Sequence, residues 1–334
     1  MPYSDTAPAP GRIQRKGRYL PGSSAHPGKM LPALAAHAIR QYTRPGDLVL
    51  DPMCGIGTTL VEAIHLHRDA LGIEFERRWA DLARANLQHA IHSTRHGSGH
   101  VLHGDARRLH TLLDADHEGR AALLVTSPPY GKVTHGHVRS TAETGNQGVT
   151  KTNARYGRDP RNLAHASTDH LLLGFTEILR QATRLLRPGA TAVVTARPWR
   201  ERGELVDFPS AVLAAGRNAG LLPVERCAAL LASIRDNHLV LHPSFFQMKN
   251  TRDARRQGLP LHVIAHEDVL VFRKPGAGQT SESRCARSRC SSLSRMQSRT
   301  CRTARVSLRT QAGGQAQNGR RTSAHSASSC RKRR

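Results

Sequence analysis

Apolar residues recur at helical spacing from Lys29 to Tyr42, where Leu31, Leu34, Ala35, Ala38 and Ile39 share a face. Pro32 falls in the first turn and Pro45-Gly46 stops the run, so one amphipathic helix is expected here. The pattern then changes. Leu48 to Leu50 is a short apolar run that ends in Asp51-Pro52, turns at Gly55 and Gly57, and re-enters helical periodicity from Thr58 to about His67. Short apolar runs follow at 70–74, 100–103 and 121–126, with a helical stretch from Glu76 to Ala90 that places Trp79, Leu82, Ala83 and Leu87 on one side. The run AALLVT at 121–126 is apolar at every position, as a strand buried on both faces requires. Further on, 170–186 and 204–219 read as helices, and 190–196, 224–234 and 263–272 as strands. Seven strands alternating with helices predict an α/β protein: a doubly wound Rossmann-like sheet with helices on both faces and its ligands at the carboxyl ends of the strands.

Several segments lack this periodicity. Residues 1–25 are rich in Pro, Gly, Ser and basic residues and read as a flexible arm with a partly ordered stretch at Arg18-Tyr19-Leu20. Residues 131–166 carry Lys132, Arg139, Lys151, Arg155, Arg158 and Arg161 among Gly, Thr and Asn, and a polar loop this long inside a domain points to function or disorder. Residues 235–260 are again polar and basic, with Phe245-Phe246 among them. The domain is expected to end near residue 274. Residues 275–334 hold fourteen Arg and Lys against one acid, Glu282, and almost no large apolar residues, so they cannot build a core and read as a disordered basic tail. The alternative for the tail is an adventitious extension.

The whole chain of 334 residues carries a formal net charge of +25, and +12 remains without the tail. A balance this basic favours a polyanionic partner, most simply nucleic acid. No run of about 18 apolar residues exists, so no membrane span is expected, and the N-terminus lacks the apolar stretch of a signal peptide. Only Cys54 and Cys227 precede residue 280, without the spacing of a zinc site or a disulfide framework, which fits a reducing cytoplasm. His65 and His67 fall on different faces of a helix, and His135 and His137 lie in a polar loop, so no metal site is expected.

Glycines at 55 and 57 let a backbone approach a ligand closely, and the helix that follows presents free N–H groups and a positive dipole end. A strand, a Gly-rich turn and a helix in this order suit a nucleotide-like ligand, although an ordinary strand-to-helix connection has the same outline. The second motif, Thr126-Ser127-Pro128-Pro129-Tyr130, decides between them. Together with Asp51-Pro52-Met53-Cys54-Gly55-Ile56-Gly57-Thr58-Thr59 it resembles the S-adenosylmethionine-dependent amino-methyltransferases of DNA, which methylate N4 of cytosine or N6 of adenine. The resemblance covers roughly residues 26–273, and Ser in Ser-Pro-Pro-Tyr is more typical of the cytosine-N4 enzymes.

The resemblance implies S-adenosylmethionine as cofactor and double-stranded DNA with an extruded base as acceptor. It puts Lys29, with His26-Pro27-Gly28, beside the methionine end, together with Asp51, Pro52, Met53, Cys54, Gly55, Gly57, Thr58 and Thr59. Glu74 is placed like the acid that binds ribose hydroxyls and Asp105 like the acid beside the adenine, with a helix cap as the alternative role for each. Thr126 leads into the catalytic group Ser127, Pro128, Pro129 and Tyr130. There the Ser127 hydroxyl and the Pro128 carbonyl would accept the two amine protons, and Tyr130 would stack on the base. Cys54 lacks the context of a covalent carbon-5 methylase and reads as packing under the turn. Residues 131–166 and 235–260 are candidates for contacting DNA, and no obligate protein partner is indicated. One rival is a guanosine-N2 tRNA methyltransferase of the same fold, disfavoured because only about 26 residues precede the shared region. Another is a basic nucleic-acid-binding protein on an inactive scaffold. Target sequence and membership of a restriction-modification system stay open.

Overall fold

The computed structural model describes residues 11–130, 137–139, 150–152, 156–201, 204–236, 238–241, 243 and 245–276. The expected tail therefore lies outside the described residues from 277 onward, as does much of the loop after Tyr130. Seven strands form one sheet: β1 (Leu48–Asp51), β2 (Asp69–Glu74), β3 (Gly99–His103), β4 (Ala121–Thr126), β5 (Leu186–Ala196), β6 (Leu222–Leu230) and β7 (His266–Arg273). Their spatial order is β6-β7-β5-β4-β1-β2-β3. Only β7 runs against its neighbours, pairing antiparallel with β5 and β6. This is the Rossmann-like methyltransferase sheet, and its order reverses between β1 and β4, where such sheets open a crevice.

Helices cover both faces. On one lie α1 (Pro32–Tyr42), α2 (Thr58–His65) and α3 (Arg77–Thr94); on the other lie α4 (Thr168–Leu185) and α5 (Phe208–Asn218). Side chains alternate along a strand, and the two cores follow that rule. Val49, Leu123, Val125 and Val193 pack with Ile39, Ile64, Trp79 and Leu87. Leu50, Leu124, Ala192 and Val194 pack with Phe175, Ile178, Phe208 and Val212. Each fully buried Leu, Ile or Val contributes roughly 1.5–3 kcal/mol of transfer energy, so apolar residues are favoured at both parities, as AALLVT shows.

Three expectations need correction. The stretch read as one strand over 224–234 breaks at Leu231: β6 ends at Leu230, and Ala232–Arg235 leaves the sheet to pair with His238–Leu241. The run is apolar at every position from Cys227 to Ala232, so the residue pattern gives no sign of the break. The second DNA-contact candidate, 235–260, is mostly not a loop but the rest of that hairpin followed by helix α6 (Phe245–Arg256). Helix α5 starts at Phe208 rather than 204, because the Asp207 side chain caps it by accepting from the Ser210 N–H, while Glu204–Val206 pairs with Trp199–Glu201.

The supposed arm is also structured from residue 11. Tyr19 is buried, its hydroxyl donating to Glu62 Oε1 at 2.8 Å, while Arg18 pairs with Glu62 Oε2 at 2.6 Å. Asn86 on α3 accepts from the Leu20 N–H and donates to Ser23 Oγ and the Ile56 carbonyl, each at 2.9 Å. The strap is thus tied to the Gly-rich turn. Among the described residues no helix is long and apolar enough to cross a membrane.

Asn86→Ala leaves the Ile56 carbonyl and the Leu20 amide without this partner. It is expected to cost about 1–3 kcal/mol, seen as a lower urea midpoint at unchanged slope.

Candidate active site

Parallel strands deliver their carboxyl ends to one edge, and there a cavity of about 280 Å³ opens. Asp51 ends β1, Glu74 ends β2, Gly104-Asp105 follows β3, Ser127 to Tyr130 follow β4, and Thr195 and Arg197 lie at the end of β5. Because β7 runs the other way, its beginning, Glu267, reaches the same cavity.

The turn after β1 is shaped by two residues in the left-handed region, Gly55 at φ +55 and Gly57 at φ +81, a conformation that glycine adopts without steric cost. Gly57 caps α2, and the Gly55 N–H donates to Glu74 Oε2 at 2.9 Å. Asp51 is buried and accepts three bonds: from Met53 N–H at 3.1 Å, Thr59 Oγ1 at 2.7 Å and Thr126 Oγ1 at 2.8 Å. Burial lifts its carboxyl to about 6 against the pull of these donors. Glu74, also buried, accepts on its other oxygen from the Glu76 N–H at 2.9 Å, and desolvation raises it to about 7. No cation is among the causes acting on either acid. Both acids therefore hold a proton more readily than exposed carboxylates do, in a cavity that Lys29, Arg107, Arg161 and Arg197 also line. Cys54 is buried beneath the turn, its thiol pushed up by desolvation.

Over the turn lies the segment 26–29. The His26 ring meets the edges of Trp79 and Tyr156 at 4.7 and 5.3 Å and rests on Gly55, where an added Cβ would come within 3.2 Å of it. Lys29 donates to the carbonyls of His26 and Ser24, and burial lowers its ammonium to about 8. Asp105 sits deeper in a pair than the sequence suggests. Arg107 grips both its oxygens at 2.7–3.0 Å and its own N–H is capped by the same carboxylate. Burial alone would raise this acid, but the Arg107 bonds prevail and hold it below its ordinary value. Asp105 is thus both a cap and a cavity-lining acid.

On the acceptor side Pro128 and Pro129 are buried and Ser127 is half-buried. The Tyr130 ring is flanked by Trp199 at 6.2 Å and Phe208 at 6.1 Å, with the Arg197 guanidinium 4.7 Å from its centroid. Burial pushes its phenol far up. One face of Tyr130 is therefore covered by a cation.

The structure brings all the sequence-predicted site residues to this cavity or directly behind it. Gly57 and Thr126 stand behind the wall, as a helix cap and as a donor to Asp51; the others line it. Sequence reading missed Tyr156, Arg107, Arg197 and Glu267. Three of these leave a signal in retrospect: Arg107 follows the Gly-Asp that ends β3, Arg197 follows the end of β5, and Glu267 is the second residue of β7. Tyr156 leaves none, since it arrives through a loop whose path no local pattern sets.

A sequence-family model described as DNA methylase matches residues 9–85. A tRNA (guanine(10)-N2)-dimethyltransferase of Methanothermobacter thermautotrophicus is 35% identical over 109 residues, 32% of this chain and 29% of that protein. Its counterpart in Methanocaldococcus jannaschii is 32% identical over 122 residues, 36% of this chain and 34% of that protein. The chain thus spans about a third of the length of these curated relatives. Among solved structures, TrmN from Thermus thermophilus aligns with a TM-score of 0.43 and 17% identity over 78% of this chain and 53% of that one. The sequence matches support an S-adenosylmethionine-dependent methyltransferase of this broad family.

Glu74 gives the site a pH signature. With its folded value near 7 and its ordinary value at 4.5, the folded protein keeps a proton that the unfolded chain has lost between those limits. Stability therefore falls as pH rises through that window. Glu74→Gln is expected to flatten this slope, measured as urea unfolding at about pH 5 and about pH 8.

Proposed function

We propose that the protein transfers a methyl group to the exocyclic amino group of a nucleobase, with N2 of guanine in tRNA as the first acceptor and N4 of cytosine in DNA as the second. The observation that carries the proposal is the meeting, in one cavity, of the Gly55–Gly57 turn with its two buried acids and the rigid Ser127 to Tyr130 segment. The order of acceptors reverses the one read from the sequence, because the curated relatives are tRNA enzymes. The match to DNA methylases and the Ser-Pro-Pro-Tyr form keep cytosine as the second reading, and N6 of adenine follows it.

The residues present fit S-adenosylmethionine. The left-handed turn at Gly55 brings backbone to the cavity wall, and the buried Asp51 and Glu74 beside it suit a positively charged ligand. Lys29 and the turn would face its methionine end and Asp105 the adenine, while each Glu74 oxygen keeps a lone pair for a ribose hydroxyl. When bound, the cofactor supplies a methyl group activated by a positively charged sulfur. The chain's own residues supply position. An exocyclic amine is a poor nucleophile because its lone pair is delocalised into the ring. Acceptors at Ser127 Oγ and the Pro128 carbonyl would hold its protons and turn the lone pair toward the donor, and the paired prolines keep those acceptors fixed. Arg197 leaving the Tyr130 ring would open a stacking face for an extruded base.

The insertion between β6 and β7 rises at the same edge of the sheet as the cavity. Its helix α6 carries Lys249, Arg252, Arg255 and Arg256 against one acid, Asp253. We assign it, with the 131–166 loop, to the phosphate backbone of the substrate. The domain division at about residue 274, the tail's contact with nucleic acid and a reducing cytoplasmic setting belong to the same proposal.

Three outcomes test it. Protein incubated with radiolabelled cofactor and separate tRNA and DNA pools should label tRNA; label in DNA alone overturns the first acceptor, and none in either overturns the enzyme. Ser127→Ala should lower kcat about 100-fold with cofactor affinity retained. Arg252→Gln should weaken binding to all sequences alike and reduce the salt slope by about 1, read by titrating binding against salt.

A further inference from the structure

We propose that Glu267 is the proton acceptor of the methyl-transfer step. The proposal rests on the amino-methyltransferase reading above. An exocyclic amine that gains a methyl group must lose a proton, and a serine hydroxyl in the Ser127 position is no base near neutrality. A carboxylate positioned beside the nitrogen takes it more directly than bulk water.

Four carboxylates line the cavity. Asp51 is bonded to Met53, Thr59 and Thr126; Glu74 to Gly55 and Glu76; Asp105 to Arg107. All three also stand on the cofactor side. Glu267 differs on both counts: no hydrogen bond from the described residues engages its carboxylate, and it stands on the acceptor side. Strand pairing fixes that position. Asp268 pairs with Ala196, which sets Glu267 beside Arg197, and Thr126 pairs with Val194, which sets Ser127 and Pro128 across the same strand. Two interstrand spacings and the stagger of the registers separate the Glu267 backbone from that of Ser127 by about 12 Å and from that of Pro128 by about 10 Å. A glutamate side chain covers about half of this gap, and the amine of an extruded base, directly or through one water, covers the rest. The Tyr130 ring walls the gap.

The groups facing Glu267 are Arg197 from β5 and the Tyr130 phenol from the segment after β4. Asp268, its neighbour on β7, is engaged by Arg226 at 2.8 Å. Burial raises Glu267 and Arg197 pulls it back, so that it stays a stronger base than an exposed glutamate. In the step, the nitrogen lone pair forms the new N–C bond as the methyl's bond to sulfur breaks, with that electron pair remaining on sulfur. The nitrogen then passes one proton to a Glu267 oxygen, which releases it to water.

The test compares wild type, Glu267→Gln and Glu267→Asp on whichever nucleic acid wild type labels. Glu267→Gln should lower kcat about 100-fold, leave cofactor affinity and nucleic-acid KM within about 2-fold, and abolish the acid limb of the kcat–pH profile; Glu267→Asp should restore part of the rate and the limb. Independently of turnover, carbon-13 titration of labelled glutamate carboxyls in the free protein should show one signal with a midpoint above 4.5, missing from Glu267→Gln. A Gln variant that keeps the wild-type acid limb, or a Glu267 signal that titrates below 4.5, overturns the proposal. Wild type without turnover on any nucleic acid instead overturns the parent reading.

Discussion

A single buried carboxylate joins the two halves of this site. Asp51 takes its bonds from Thr59 at the start of α2, from Met53 in the turn and from Thr126 at the end of β4. Thr126 immediately precedes Ser127, so the Ser-Pro-Pro-Tyr segment is held to the Gly-rich turn by one shared group. Hydrogen bonds to a buried acid are worth roughly 1.5–3 kcal/mol each when the acid is ionised, and here they oppose a desolvation that has already lifted its pKa to about 6. Loss of this group would free the turn and the Ser-Pro-Pro-Tyr segment to move separately.

Charge is distributed unevenly between the chain and its cavity. The chain as a whole is strongly basic, a balance that favours a polyanion over a distance set by the salt. The cavity instead mixes the buried Asp51 and Glu74, both raised by desolvation, with Lys29, Arg107, Arg161 and Arg197. Long-range charge and local chemistry are therefore set by different residues.

Much of this was legible in the sequence because the chemistry sits at strand ends. A strand ending in Asp-Pro before two glycines, another in Glu, a third before Gly-Asp and a fourth before Ser-Pro-Pro-Tyr are local signals, and the parallel sheet then collects them without further instruction. What stayed hidden depends on tertiary pairing. Asp105 reads as a free acid until Arg107 closes on it, and Tyr130 reads as an open stacking face until Arg197 lies over it. The break at Leu231 is hidden because the apolar run from Cys227 to Ala232 passes straight through it, while the partner strand β7 begins only at His266. Periodicity reports which face is apolar, not which neighbour is present.

On the proposed reading, the Ser127 hydroxyl is no base near neutrality, so the proton of the amine goes to a group from another strand or to water. Glu267 enters from β7, the single strand that runs against the others, and antiparallel pairing is what lets the beginning of a strand reach a site built from strand ends. Its neighbour Arg197 covers Tyr130 from the adjacent strand. On the proposed reading, a base stacking on Tyr130 would have to move Arg197, the same cation that lowers Glu267 against its burial.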